Sequence, residues 1–167
     1  MIKYIVASVF MVFLFVSCNS EKKQKGTHPD MGLIVGKVEG NSFELMNTKL
    51  VEKEWSERVS PKGETMAFKG FEIIKGTTQG DSEKDFYMLF ARTDDGATHV
   101  AALLTLVDGE FYFQKNETET GSVYTVIQCN GECNEGCLPI VINKGEGNYL
   151  SCSPCDNCLK TEKSIIQ

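Results

Sequence analysis

Residues 84–114 read KDFYMLFARTDDGATHVAALLTLVDGEFYFQ, and the fold turns on how this stretch is divided. Three apolar runs, 85–92, 98–107 and 110–113, are separated by Asp95-Gly96 and Asp108-Gly109. Aspartate-glycine pairs between apolar runs mark tight hairpin turns, because such turns need positive φ. The segment is therefore expected to form a three-stranded antiparallel meander.

On the N-terminal side, runs 33–38 and 42–46 flank Glu39-Gly40-Asn41 and read as a hairpin. A helix is expected over 48–59, where Val51, Trp55 and Val59 recur on one face. Asn47 or Thr48 is placed to cap it, Glu54 and Arg58 form an i,i+4 pair, and Pro61 stops it. Further strands are expected at 68–75 and 122–128, with the polar stretch 115–121 as a connection. The fold class is α+β, mainly an antiparallel sheet with one helix packed on a face. A small sandwich or partly closed barrel is the alternative.

The six C-terminal cysteines are Cys129, Cys133, Cys137, Cys152, Cys155 and Cys158, spaced C-x3-C-x3-C and C-x2-C-x2-C. Between the triplets, 138–143 and 148–151 flank Lys144-Gly145-Glu146-Gly147 and read as a hairpin whose ends carry the sulfurs. An even number suits three disulfides, whose pairing spacing cannot choose. A zinc or other soft-metal site is the alternative, since both spacings suit metal knuckles. Pro154, Asp156 and Asn157 suggest a turn, whereas redox C-x-x-C units open a helix. The expected role of the segment is a stapled, rigid projection appended to the sheet.

The chain opens with Lys3, an uncharged run over residues 4–16, and Phe15-Val16-Ser17-Cys18. That run is too short for a membrane-spanning helix, which needs ~20 apolar residues. Basic start, apolar run and small residue are the parts of a signal peptide. The cysteine after the cut resembles the lipobox of bacterial lipoproteins, with Phe15 where leucine is commonest. An ordinary secretory peptide that happens to end in cysteine is the other reading. The resemblance implies cleavage after Ser17, lipid on Cys18 and membrane association. Asn19, in place of aspartate, points to the outer membrane, and Asn19-Ser20-Glu21-Lys22-Lys23 favours the periplasmic face. Export also favours oxidised thiols. The whole has the look of small Bacteroidetes-type lipoproteins with a β-rich body and a C-terminal knot of Cys, Gly and Asn.

The expected organisation is signal peptide 1–17, tether 18–30, globular domain 31–128, cysteine-rich hairpin 129–158 and tail 159–167. The tether lacks large apolar side chains, and as a flexible coil would span ~20 Å. Formal charge is −6 for the whole chain, and losing Lys3 with the signal makes the mature chain more acidic still. Such a chain is a poor nucleic-acid binder.

No cofactor motif is present, and catalysis is not expected. Of two histidines, His28 lies in the tether and His99 in an apolar run, where a sheet hydrogen bond is the simpler role. Asp81, Glu83 and Asp85 lack the glycine and glutamate of a calcium loop and read as a solvated turn. Trp55 is assigned to the core, and Asp94 and Asp95 to a turn. Tyr112 is a candidate exposed binding residue, because Phe111, Tyr112 and Phe113 must place a ring on each sheet face. The expected function is a non-enzymatic envelope module that binds a protein or ligand or serves a structural role. Metal-binding or thiol-redox chemistry at the cysteines is the alternative.

Overall fold

The computed structural model describes residues 31–61, 64–119, 121–132, 136–145 and 147–166. The segments expected to be signal peptide and tether, with Cys18, lie outside them, as does Cys133.

The meander forms as its turns require. Strands β5 (Asp85–Thr93), β6 (Thr98–Val107) and β7 (Glu110–Phe113) pair antiparallel in sequence. Val107 pairs with Glu110, so Asp108 and Gly109 form a two-residue loop, with φ of 50° and 84°. Positive φ at both positions is what a type I′ turn demands. At the β5–β6 turn, Asp95 accepts hydrogen bonds from the Thr93 hydroxyl at 2.6 Å and the Ala97 amide at 3.0 Å. Those bonds, the hydroxyl's first, hold the Asp95 carboxyl below its ordinary range.

Around this meander the chain adds β1 (Ile34–Glu39), β2 (Ser42–Leu45) and β3 (Phe68–Thr77), then β8 (Lys115–Thr118), β9 (Gly121–Asn130) and β12 (Leu159–Ile166). These nine strands form one sheet, with β3 on β5, β1 on β7, and β9 flanked by β12 on one side and β6 and β8 on the other. A second sheet holds β4 (Gln79–Gly80), β10 (Pro139–Lys144) and β11 (Gly147–Cys152). The sheets do not close into a barrel.

Three strands depart from the sequence reading. β4 is two residues long, and β8, KNET, lies in the expected connection. Residues 159–166, expected as a tail, pair with β9 along their whole length. Ile165 of β12 is 1% exposed and part of the core.

Helix α1 (Thr48–Arg58) covers one face of the large sheet. Its stripe Val51, Trp55 and Val59 packs with Leu89, Ala91, Val100, Ala102, Phe111, Phe113, Tyr124 and Val126. Asn47 occupies the cap position but makes no side-chain cap bond; its amide donates instead to the Ile34 carbonyl at 2.9 Å. Trp55 Nε1 donates to the Tyr124 hydroxyl at 3.3 Å, which in turn donates to Glu54 Oε2 at 2.6 Å. Burial first, then that bond to Glu54, pushes the Tyr124 phenol far above its ordinary value.

The opposite face is covered as well. Met88, Ala101, Leu103, Ile127 and Cys129 meet Cys137, Val141 and Leu150 in a second buried cluster. The β10–β11 hairpin is thus a layer laid on the sheet, not a projection from it. Along β6, Val100, Ala102 and Leu104 face the helix while Ala101 and Leu103 face the hairpin. The unbroken apolar run of β6 is the pattern of a strand buried on both sides.

Candidate functional site

Two bridges fasten the second layer. Cys129, at the end of β9, is bonded to Cys152, at the end of β11, with Cα atoms 5.6 Å apart. Cys137, just before β10, is bonded to Cys158, just before β12, with Cα atoms 5.3 Å apart. Both separations lie in the ordinary disulfide range of ~4.4–6.8 Å. Each bridge therefore joins the large sheet or its edge to the hairpin. Cys155 is disulfide-bonded too, and its partner lies outside the described residues.

The Cys155–Cys158 unit sits in a turn, where the Cys158 amide donates to the Cys155 carbonyl at 3.1 Å. Gly131 makes room for this turn: a Cβ there would stand 2.9 Å from Cys158 Cα. The sulfurs of Cys129, Cys137 and Cys152 lie within 4.8 Å of one another. The two bridges are therefore neighbours. A metal needs thiolates, so these sulfurs could serve as ligands only after reduction.

His99 ties the sheet to the same region. Its Nδ1 lies 3.0 Å from the Cys137 carbonyl, and its ring stacks on Phe90 with centroids 5.6 Å apart. The carbonyl acceptor places the proton on Nδ1. This is the hydrogen-bonded sheet histidine that the sequence suggests.

The acidic loop is divided between two structural tasks. Asp81 accepts from the Gly145 amide at 2.9 Å, and Asp85 pairs with Lys75 at 2.7 Å. Asn143, 2% exposed, completes the hold on the hairpin turn. Its side chain accepts from the Ser82 hydroxyl and donates to Gly147 and Asn148.

Tyr112 is not an exposed binding residue: it is 1% exposed. Its hydroxyl donates to Glu110 at 2.8 Å, and burial, then that bond, pushes its pKa up to about 12. Its strand is interior to the large sheet, paired with β1 on one side and β6 on the other. Among the described residues the exposed ring is Tyr149, on β11, at 58%.

Tyr149 stands at the rim of a cleft of about 310 Å³ between β11 and the large sheet. Leu103 and Thr125 line it from β6 and β9, Gln114 and Asn116 from β7–β8, and Lys160 and Glu162 from β12. Lys160 Nζ donates to the Leu150 carbonyl at 2.8 Å and pairs with Glu162 at 2.9 Å. It thereby ties one cleft wall to the other. Glu162 is the one carboxylate among the described lining residues, whereas glycoside hydrolysis uses a pair.

Comparison with protein-family models, with curated proteins and with solved structures found no match to this chain.

Proposed function

We propose that this chain is a lipid-anchored protein of the bacterial cell envelope, outer membrane by preference, that acts by binding and not by catalysis. The cleft carries this reading. A second layer is crosslinked to a sheet, the crosslinks fix the cleft walls, and an exposed aromatic ring stands at the rim. Concave sites with a few convergent polar groups are where small ligands bind. Cys18 supplies the anchor, and the tether holds the domain near the membrane surface. Among the described residues no helix is long and apolar enough to cross a membrane.

A second reading is metal binding or thiol-redox chemistry at the clustered sulfurs, favoured by the 4.8 Å grouping of Cys129, Cys137 and Cys152. The oxidised bridges favour the first.

Cys18→Ala is expected to abolish membrane association and leave the domain folded. Two or more acyl chains give firm attachment, at ~0.8 kcal/mol per buried methylene, and the variant has none. Fractionation of cells making each form, followed by blot, reads this directly. Tight membrane retention of the alanine variant would overturn the anchor.

A further inference from the structure

The cleft has a chemistry as well as a shape. Among the described residues, the side chains of Gln114, Asn116 and Thr125 make no hydrogen bond, although all three line it. Two amides and a hydroxyl together offer both donors and acceptors. The charges beside them, Lys160 and Glu162, are spent on each other. A charged ligand therefore finds no unpaired counter-ion among the described lining residues.

Tyr149 adds a flat apolar face. Its ring packs over Gly147, where a Cβ would lie 3.0 Å from the Tyr149 oxygen, so the glycine lets the ring lie close to its own strand. An exposed tyrosine held in this way is a rigid, amphipathic contact surface. Its neighbour Asn148 has its amide orientation set by Asn143 Nδ2, which donates to Asn148 Oδ1 at 2.8 Å. The Asn148 NH2 is then the group left to meet a ligand.

We propose that this cleft binds a neutral carbohydrate of one or two rings, whose C–H face stacks on Tyr149 and whose hydroxyls bond Gln114, Asn116 and Thr125. A sugar hydroxyl both donates and accepts, which matches the unpartnered amides, and sugar rings carry the apolar face that an exposed tyrosine takes. The volume, about 310 Å³, stands at the small end of ligand pockets, ~300–1,000 Å³. The proposal rests on the reading of the cleft as the recognition surface.

The test uses mature lipoprotein in a detergent without a sugar headgroup. Maltose, cellobiose, lactose and N,N′-diacetylchitobiose are titrated by calorimetry and by saturation-transfer NMR, with neutral, acidic and basic tripeptides as the comparison panel. At least one disaccharide is expected to bind, and Tyr149→Ala to weaken it about tenfold or more, the scale of a contact hot spot. Thr125→Val, which keeps the side-chain volume, should weaken binding less. Leu50→Ala, on the exposed side of α1, should leave it unchanged. Circular dichroism of each variant separates lost binding from lost fold. Binding of a tripeptide in a Tyr149-dependent way, with no sugar bound, overturns the carbohydrate and leaves the cleft as a recognition site. Failure of both panels overturns both.

Discussion

Trp55→Ala is expected to destabilise the folded domain by about 3–5 kcal/mol, the range for truncating a fully buried large aromatic. Trp55 is 0% exposed, and its ring lies 5.6 Å from Phe71, 6.2 Å from Phe68 and 6.3 Å from Phe113. It is the largest side chain by which α1 holds the sheet. Its removal leaves a cavity under the helix and takes the Nε1 donor from Tyr124. Since domains of this kind are stable by only ~5–15 kcal/mol, the variant should lose a large share of its margin. Denaturant unfolding of both proteins, at an unchanged slope, gives the difference. A cost below about 1 kcal/mol would mean that α1 is not packed on the sheet.

The paired substitution Cys129→Ala with Cys152→Ala is the second large effect. The bridge closes a separation of 23 residues, for which the chain-entropy relation gives about 3 kcal/mol. The loss should be structural as well as energetic, because the same bridge sets β11 over β9. Ile127, Val141 and Leu150 would gain access to water, and the protein should bind a hydrophobic dye that the parent ignores. The single variant Cys129→Ala should behave differently. Its freed Cys152 thiol lies beside Cys137, within 4.8 Å in the parent. Attack of that thiolate on the Cys137–Cys158 bond would form Cys137–Cys152 and release the Cys158 thiolate. Peptide mapping should find the exchanged bridge in the single variant, while the paired variant retains Cys137–Cys158. An intact Cys137–Cys158 bridge in both would contradict the adjacency.

What the sequence made legible was local. Asp95-Gly96 and Asp108-Gly109 specify their turns by backbone conformation alone, and the Val51, Trp55 and Val59 spacing specifies a helix face. The missed strands lack such marks. Seven of the eight residues of β12, all but Ile165, are exposed on an edge strand, so no alternation announces pairing with β9. KNET in β8 is polar throughout for the same reason.

The position of the hairpin was legible only in retrospect. Val100 to Leu104 runs apolar without a break, which signals cover on both faces, but nothing local names the hairpin as that cover. The cysteine pairing is likewise a property of the fold: six cysteines allow 15 pairings, and spacing does not rank them. Tyr149 lies between Asn148 and Leu150 in β11, whereas Tyr112 sits in an aromatic row. The fold buries Tyr112, at 1% exposed, and leaves Tyr149, at 58%, at the cleft rim.

The most direct measurement of the account is the oxidation state of the C-terminal sulfurs in mature protein purified from membranes. Alkylation before and after reduction, read by mass spectrometry, is paired with elemental analysis for bound metal. The expected result is no modified cysteine before reduction and six after it, Cys18 being blocked by the proposed lipid, with crosslinked peptides joining Cys129 to Cys152 and Cys137 to Cys158 and no stoichiometric metal. Free thiols at these positions, accompanied by one or more zinc ions per chain, would contradict it and make the sulfur cluster a metal centre.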